Sequence, residues 1–68
     1  MRRRFIKRRL VIKTIEGVGY KWNRSDGEHD VYKKDGRPIL LIPKHREINS
    51  NTARAILTAA GVRDQLRK

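Results

Sequence analysis

The chain has 68 residues and a net charge of +11, because 18 Lys and Arg residues oppose seven Asp and Glu residues. This length predicts one small domain, and this charge favours a polyanionic partner, with nucleic acid as the principal candidate. The absence of cysteine excludes disulfides and a cysteine-based zinc site, and it fits a reducing compartment. No apolar run before position 20 exceeds three residues, so we expect a cytoplasmic protein that does not enter a membrane.

The positive charge is dense at the N-terminus but is not confined to it. Six of the first nine residues are Lys or Arg. Removing the four basic residues among positions 1–7 lowers the net charge only from +11 to +7, so the rest of the domain is itself basic. Residues 1–7 are expected to form a solvated, partly disordered basic arm, or to result from an early translation start.

The first predicted element is a helix. Its apolar residues recur at the spacing of one helical face: Val11, Ile12, Ile15 and Val18. The helix is expected to start between Arg4 and Leu10, since Leu10 is not an N-cap residue. It should end at residues 17–19, where Gly19 can adopt the left-handed conformation that closes a helix.

After this helix the pattern alternates with a period of two, which predicts three antiparallel strands over residues 20–24, 29–33 and 38–42. Asp26-Gly27 and Asp35-Gly36 separate these strands, and Asp-Gly is a strong hairpin signal. With Asp26-Gly27 as the loop, Arg24 pairs with His29 and Trp22 pairs with Val31.

This register, with Val31 opposite Leu40, assigns each face of the sheet. The face toward the helices is predicted to carry Trp22, Val31, Leu40 and Ile42. The opposite face is predicted to carry Tyr32, Ile39 and Leu41, which is more apolar than an open face requires and therefore indicates a docking surface. Tyr32 is then the one aromatic residue expected to be exposed for stacking on a base.

A second helix follows the basic connection over residues 43–47, with Asn49 or Ser50 as its N-cap. Its buried stripe is predicted to be Ala53, Ile56, Leu57 and Ala60. Gly61 is the expected C′ residue, with Val62 folding back on Leu57, and residues 63–68 are expected to be a frayed tail. The order α-β-β-β-α predicts an α+β fold, two helices on one face of a three-stranded antiparallel sheet, as in double-stranded-RNA-binding domains.

Four segments, in this order and spacing, resemble the HicA family of messenger-RNA-cleaving toxins: Gly19-Tyr20, Gly27-Glu28-His29, residues 42–48 and residues 52–57. The resemblance covers residues 8–62, which we take as the single domain. It implies a metal-independent endoribonuclease without a cofactor, the toxin of a type II toxin-antitoxin pair neutralised by a HicB-type antitoxin. It also implies a catalytic role for His29, which follows the turn glycine Gly27.

The residue chemistry is compatible with this activity. Metal-free RNA cleavage needs a base for the 2′-hydroxyl, an acid for the leaving 5′-oxygen and cations that stabilise the phosphorane. The unperturbed pKa of histidine, about 6.5, suits proton transfer at neutral pH. His45 lies in a basic loop and is expected to have no role in the chemistry; the alternatives are a phosphate contact and the second acid–base group. The residues expected to contact RNA are Arg24, Lys33, Lys44, His45 and Arg46, and no cluster of ligands at suitable spacing indicates a metal.

Two other functions stay open at this point. The same basic surface could belong to a non-catalytic RNA-binding module, which an RNA-cleavage assay in EDTA would distinguish from a nuclease. Alternatively, the apolar sheet face could make the chain an interaction protein, which predicts no salt-sensitive RNA binding. We expect the chain to be monomeric when alone, and an acidic partner to dock on the apolar face or across His29.

Overall fold

The structure is a computed structural model that describes residues 5–62. In chain order its elements are β1 (Phe5–Lys7), α1 (Arg8–Gly17), β2 (Lys21–Asp26), β3 (His29–Lys33), β4 (Leu40–Pro43), β5 (Glu47–Asn49) and α2 (Ser50–Ala59). Strands β2, β3 and β4 form an antiparallel sheet in that order, and β1 pairs antiparallel with β5. The predicted α-β-β-β-α order is confirmed. The expectations for residues 1–4 and 63–68 lie outside the described residues.

Helix α1 begins at Arg8, within the predicted window, and its first turn has neither a side-chain cap nor an acidic residue. Val11 and Ile15 are fully buried, as their spacing predicts. Gly19 has a φ of 105°, and its N–H donates to the carbonyl of Glu16, which closes the helix where the sequence predicted.

Helix α2 follows the sequence prediction closely. The Asn49 side chain accepts a hydrogen bond of 2.8 Å from the N–H of Asn51, so Asn49 is the N-cap. Its predicted stripe is buried in full: Ala53, Ile56, Leu57 and Ala60. Gly61 has a φ of 84°, and the N–H of Val62 donates to the carbonyl of Leu57 at 2.8 Å. The buried Val62 therefore folds back as expected.

The β2–β3 hairpin turns one residue later than predicted. Asp26 pairs with His29, so the two-residue loop is Gly27-Glu28, and the predicted pairing of Arg24 with His29 is wrong. Gly27 has a φ of 62°, and glycine at the first position of a two-residue loop is what a type II′ turn favours. A bulge between Trp22 and Arg24 then places Trp22 opposite Tyr32, not opposite Val31.

The β3–β4 register also differs by one residue, which exchanges the two faces of β3. Tyr32 pairs with Leu40, and Val31 pairs with Leu41. Tyr32 is therefore only 6% exposed and belongs to the core, contrary to its predicted place on the open face. The physical reason lies before β4, where the Pro38 carbonyl accepts a hydrogen bond of 2.8 Å from the Tyr20 hydroxyl and the strand starts only at Leu40.

The two sheet faces can now be named. The core face packs against the helices and carries Tyr32, Leu40 and Ile42. The outer face carries Val31 and Leu41; Leu41 and Ile39 are 51% and 56% exposed, as predicted. Trp22 was predicted to lie in the core but is 55% exposed, and all six residues of the edge strand β2 are exposed, since the helices leave this strand uncovered.

The β1–β5 pair was not predicted, and it joins the two ends of the domain. Ile6 pairs with the buried Ile48, and Lys7 pairs with Glu47. The N–H of Arg8 donates to the carbonyl of Arg46 at 2.8 Å, which continues the contact into α1. The start of α1 is thus held against the β4–β5 loop.

Candidate nucleic-acid interface

A groove of about 530 Å³ lies at the N-terminal end of α1 and is lined by five cationic residues, Lys7, Arg8, Arg9, Lys44 and Arg46, here called the basic groove. The β1–β5 pairing brings these residues together, since three come from the start of the domain and two from the β4–β5 loop. The dipole of α1 adds positive potential at this end of the helix. The arrangement suits the phosphates of a polyanion.

Arg8 links the groove to the sheet. Its Nε donates to the carbonyl of Pro43 at 2.7 Å, and its Nη2 forms an ion pair with Asp30. The other Asp30 oxygen accepts a hydrogen bond of 3.2 Å from the indole Nε1 of Trp22. A single carboxylate on β3 therefore fixes both a groove arginine and an exposed tryptophan.

His29 lies at the same end of the sheet as the basic groove, at the start of β3. It is partly buried, and its cross-strand neighbours are Asp26 and Pro43. Alternation along the strand puts His29 on the outer face, on the opposite side from Asp30. The N–H of Lys44 donates to the carbonyl of Glu28 at 3.0 Å, which attaches the hairpin to the loop that supplies two groove cations.

The structure gathers some of the predicted RNA-contacting residues and separates others. Lys44 and Arg46 line the basic groove, and His45 is exposed between them. Arg24 lies on the outer face near His29, where its guanidinium is 3.7 Å from the carboxylate of Asp26. Lys33 lies four residues along β3 from His29, about 13 Å away, so the structure does not bring it to the histidine.

Several contributors were missed from the sequence. Lys7, Arg8 and Arg9 were assigned to the N-terminal arm or to the start of the helix, and the density of charge in the first nine residues was the only signal for them.

Other cations bind the ends of the helices: Lys34 donates to the carbonyl of Val18 near the end of α1, and Arg37 donates to the carbonyl of Ala59 at the end of α2. Those two residues lie at the helix ends away from the groove.

Between residues 5 and 62, no set of three or more His, Cys, Asp or Glu side chains is grouped so that it could hold a metal ion. Neither described helix has the length and apolar character needed to cross a membrane.

The fold and this surface define a class, the small basic α+β domains with the architecture of double-stranded-RNA-binding domains. Within that class the chain belongs to the HicA toxin family, because residues 8–62 match the family model described as the HicA toxin of bacterial toxin-antitoxin systems. Comparisons with curated proteins and with solved structures gave no match. The resemblance seen in the sequence is thereby confirmed over the same residues.

Proposed function

We propose that the protein is a metal-independent endoribonuclease that cleaves messenger RNA in the cytoplasm and is neutralised by a HicB-type antitoxin. Membership of the HicA toxin family supports the toxin role. The observation that carries the proposal is the basic groove at the end of the sheet where β3 begins with His29. Cations at this end can hold the RNA backbone next to a group able to transfer a proton.

The proposed reaction is attack by the 2′-hydroxyl on the adjacent phosphorus. A base removes the 2′-hydroxyl proton, the O2′–P bond forms, the P–O5′ bond breaks and an acid protonates the 5′-oxygen. The products are a 2′,3′-cyclic phosphate and a 5′-hydroxyl. We assign one of the two proton transfers to His29, which is partly exposed at the strand start.

Neighbouring residues take the other roles in this proposal. His45 is the candidate for the second proton transfer or for a phosphate contact, because it is exposed between two groove residues. Lys44 and Arg46 stabilise the charge on the phosphorane, and Arg24 contributes from the outer face. Lys33 contacts RNA farther along the outer face.

The outer face is the proposed antitoxin site. Leu41 and Ile39 are exposed there, and His29 shares this face by strand alternation. An acidic antitoxin that covers the apolar residues would therefore also cover His29 and exclude RNA. The corrected register removes Tyr32 from this surface.

The direct test is cleavage of single-stranded RNA by the purified full chain in excess EDTA. We expect cleavage that yields 5′-hydroxyl ends, and we expect Mg²⁺ to leave the rate unchanged. The specific observation that favours a non-catalytic RNA-binding module is that Arg8 of the basic groove contacts Asp30, whose side chain lies on the opposite face of β3 from that of His29. Salt-sensitive RNA binding without any cleavage would establish that module instead.

A further inference from the structure

We propose that Trp22 is a stacking site for an unpaired RNA base next to the basic groove, an inference that rests on the proposed RNA function. Trp22 is 55% exposed, although the indole is the largest apolar side chain and its position in the sequence predicted burial. It lies on the edge strand β2. Exposed aromatic residues beside cationic grooves are the usual platform for single-stranded nucleic acid.

The orientation of the indole is fixed by the protein. Nε1 is the only polar atom of the ring, and it donates to Asp30 at 3.2 Å. Asp30 is held in turn by Arg8, which lines the basic groove. The indole edge is therefore satisfied within the protein, and the exposed ring surface is left with apolar and stacking contacts to offer a ligand.

The surroundings favour a base over an apolar protein segment. Trp22 donates to the charged Asp30, and the other oxygen of this carboxylate forms the ion pair with Arg8. The exposed apolar residues Ile39 and Leu41 belong to the outer face and are not continuous with this site. Because one carboxylate contacts both Arg8 and Trp22, a phosphate bound at Arg8 would bring the base of its nucleotide within reach of the indole. Because stacking on a protein ring requires a base outside a duplex, the substrate class is single-stranded RNA.

The experiment compares two oligonucleotides on the full chain. One is a single-stranded 2′-O-methyl RNA decamer, in which the attacking hydroxyl is blocked, and the other is an abasic strand with the same number of phosphates. Trp22 is the only tryptophan, so its fluorescence reports on the site directly. We expect quenching by the decamer and little quenching by the abasic strand, although both bind in a salt-dependent manner.

Substitutions supply the second measurement. Trp22→Ala should weaken binding of the decamer by roughly 5- to 100-fold and leave binding of the abasic strand unchanged. Trp22→Phe keeps a ring but loses the hydrogen bond to Asp30, so it should restore most of the affinity. Val18→Ala, at an exposed apolar position beside the C-terminal end of α1 and away from the basic groove, is the matched control and should bind both strands like the parent.

The outcomes separate this inference from the proposed function. Equal affinity of the parent for the two strands, with equal quenching, would overturn the stacking site and leave salt-dependent RNA binding intact. That comparison uses the unaltered protein, so it decides the question even if Trp22→Ala does not fold. Failure of both strands to bind at low salt would reject RNA as the ligand, and the stacking site with it.

Discussion

His29 and Asp30 are neighbours in the chain, yet their side chains lie on opposite faces of β3. Asp30 contacts Arg8 and Trp22 on the groove side, whereas His29 shares the outer face with Leu41. Substitutions at these two adjacent positions should therefore have different effects. Substitution of His29 should lower the rate of RNA cleavage, and substitution of Asp30 should lower the free energy of unfolding.

At His29, replacement by Ala should remove activity and preserve the fold. A partly buried residue at a strand end loses few contacts, so the free energy of unfolding should fall by about 1 kcal/mol or less. Loss of a positioned acid or base should lower the cleavage rate by roughly 10²- to 10⁴-fold, with RNA affinity nearly unchanged. Single-turnover cleavage and thermal unfolding measure both quantities.

His45→Ala is the internal control for that experiment and should reduce the rate less, since His45 is exposed in the β4–β5 loop. The catalytic assignment fails if folded His29→Ala protein cuts RNA at the parental rate.

Tyr32 gives a prediction about alkaline pH. Burial raises the pKa of its phenol above the ordinary value of 10.0, and the negative charge of Glu16 adds to this rise, while Arg8 opposes it. Because this pKa is higher in the folded state than in the unfolded state, its contribution to the free energy of unfolding is fully present at pH values below the unfolded-state pKa. The contribution is lost as the pH rises from there toward the folded-state pKa. Above about pH 10, the parent should therefore lose stability more steeply than Tyr32→Phe. Urea unfolding at a series of pH values checks this, and parallel curves would contradict it.

Among the ion pairs of residues 5–62, the Arg8–Asp30 pair joins α1 to β3. Both side chains are largely buried, with 24% and 16% exposure, and Asp30 also accepts from Trp22. Asp30→Ala removes an acceptor from two donors, so we expect a loss of about 1.5–3 kcal/mol in the free energy of unfolding.

Asp26→Ala is the matched control, because it removes the same charge from an exposed pair with Arg24 at 3.7 Å. Such pairs contribute about 0–1 kcal/mol. Equal losses in the two variants, measured by urea unfolding, would show that the Asp30 contacts do not join α1 to the sheet.

Over the whole molecule, the charge of +11 should make RNA affinity fall steeply with salt. Each neutralised phosphate contributes roughly −0.7 to the log-log slope for a single strand. Arg9→Ala should reduce the steepness by about that amount, because Arg9 lines the basic groove. Arg54→Ala, which removes the same charge from the exposed side of α2, should change it little. A flat plot for the parent would rule out nucleic acid as the ligand.

The outer face should be the surface that recognises the antitoxin. Leu41→Asp places a negative charge in the proposed apolar contact, so it should weaken binding of a co-expressed HicB-type antitoxin. Ala55→Asp adds the same charge on the exposed side of α2 and should bind normally. Normal binding by both Leu41→Asp and His29→Ala in a pull-down would place the antitoxin elsewhere.

Both helices were predictable from the sequence because their signals are local. Apolar residues recur every three or four positions along each helix. Gly19 and Gly61 follow the last of these apolar residues closely, and they mark the ends of the two helices. The order of the strands could also be predicted from local signals, since Asp-Gly pairs separate the runs of strand-forming residues. His29 was recognised as a candidate because it follows the turn glycine and fits the family pattern.

The register and the basic groove depend on contacts that local patterns do not specify. A shift of one residue in the β3–β4 register moved Tyr32 from its predicted place on the open face into the core, because adjacent strand residues point to opposite faces. Trp22 lies opposite Tyr32 but stays exposed on the edge strand β2, all of whose residues are exposed. The groove requires Lys7 to pair with Glu47, forty positions later in the chain. Periodicity reports only which residues are apolar along one element, whereas the pairing partner is set by the burial and hydrogen bonding of the whole fold.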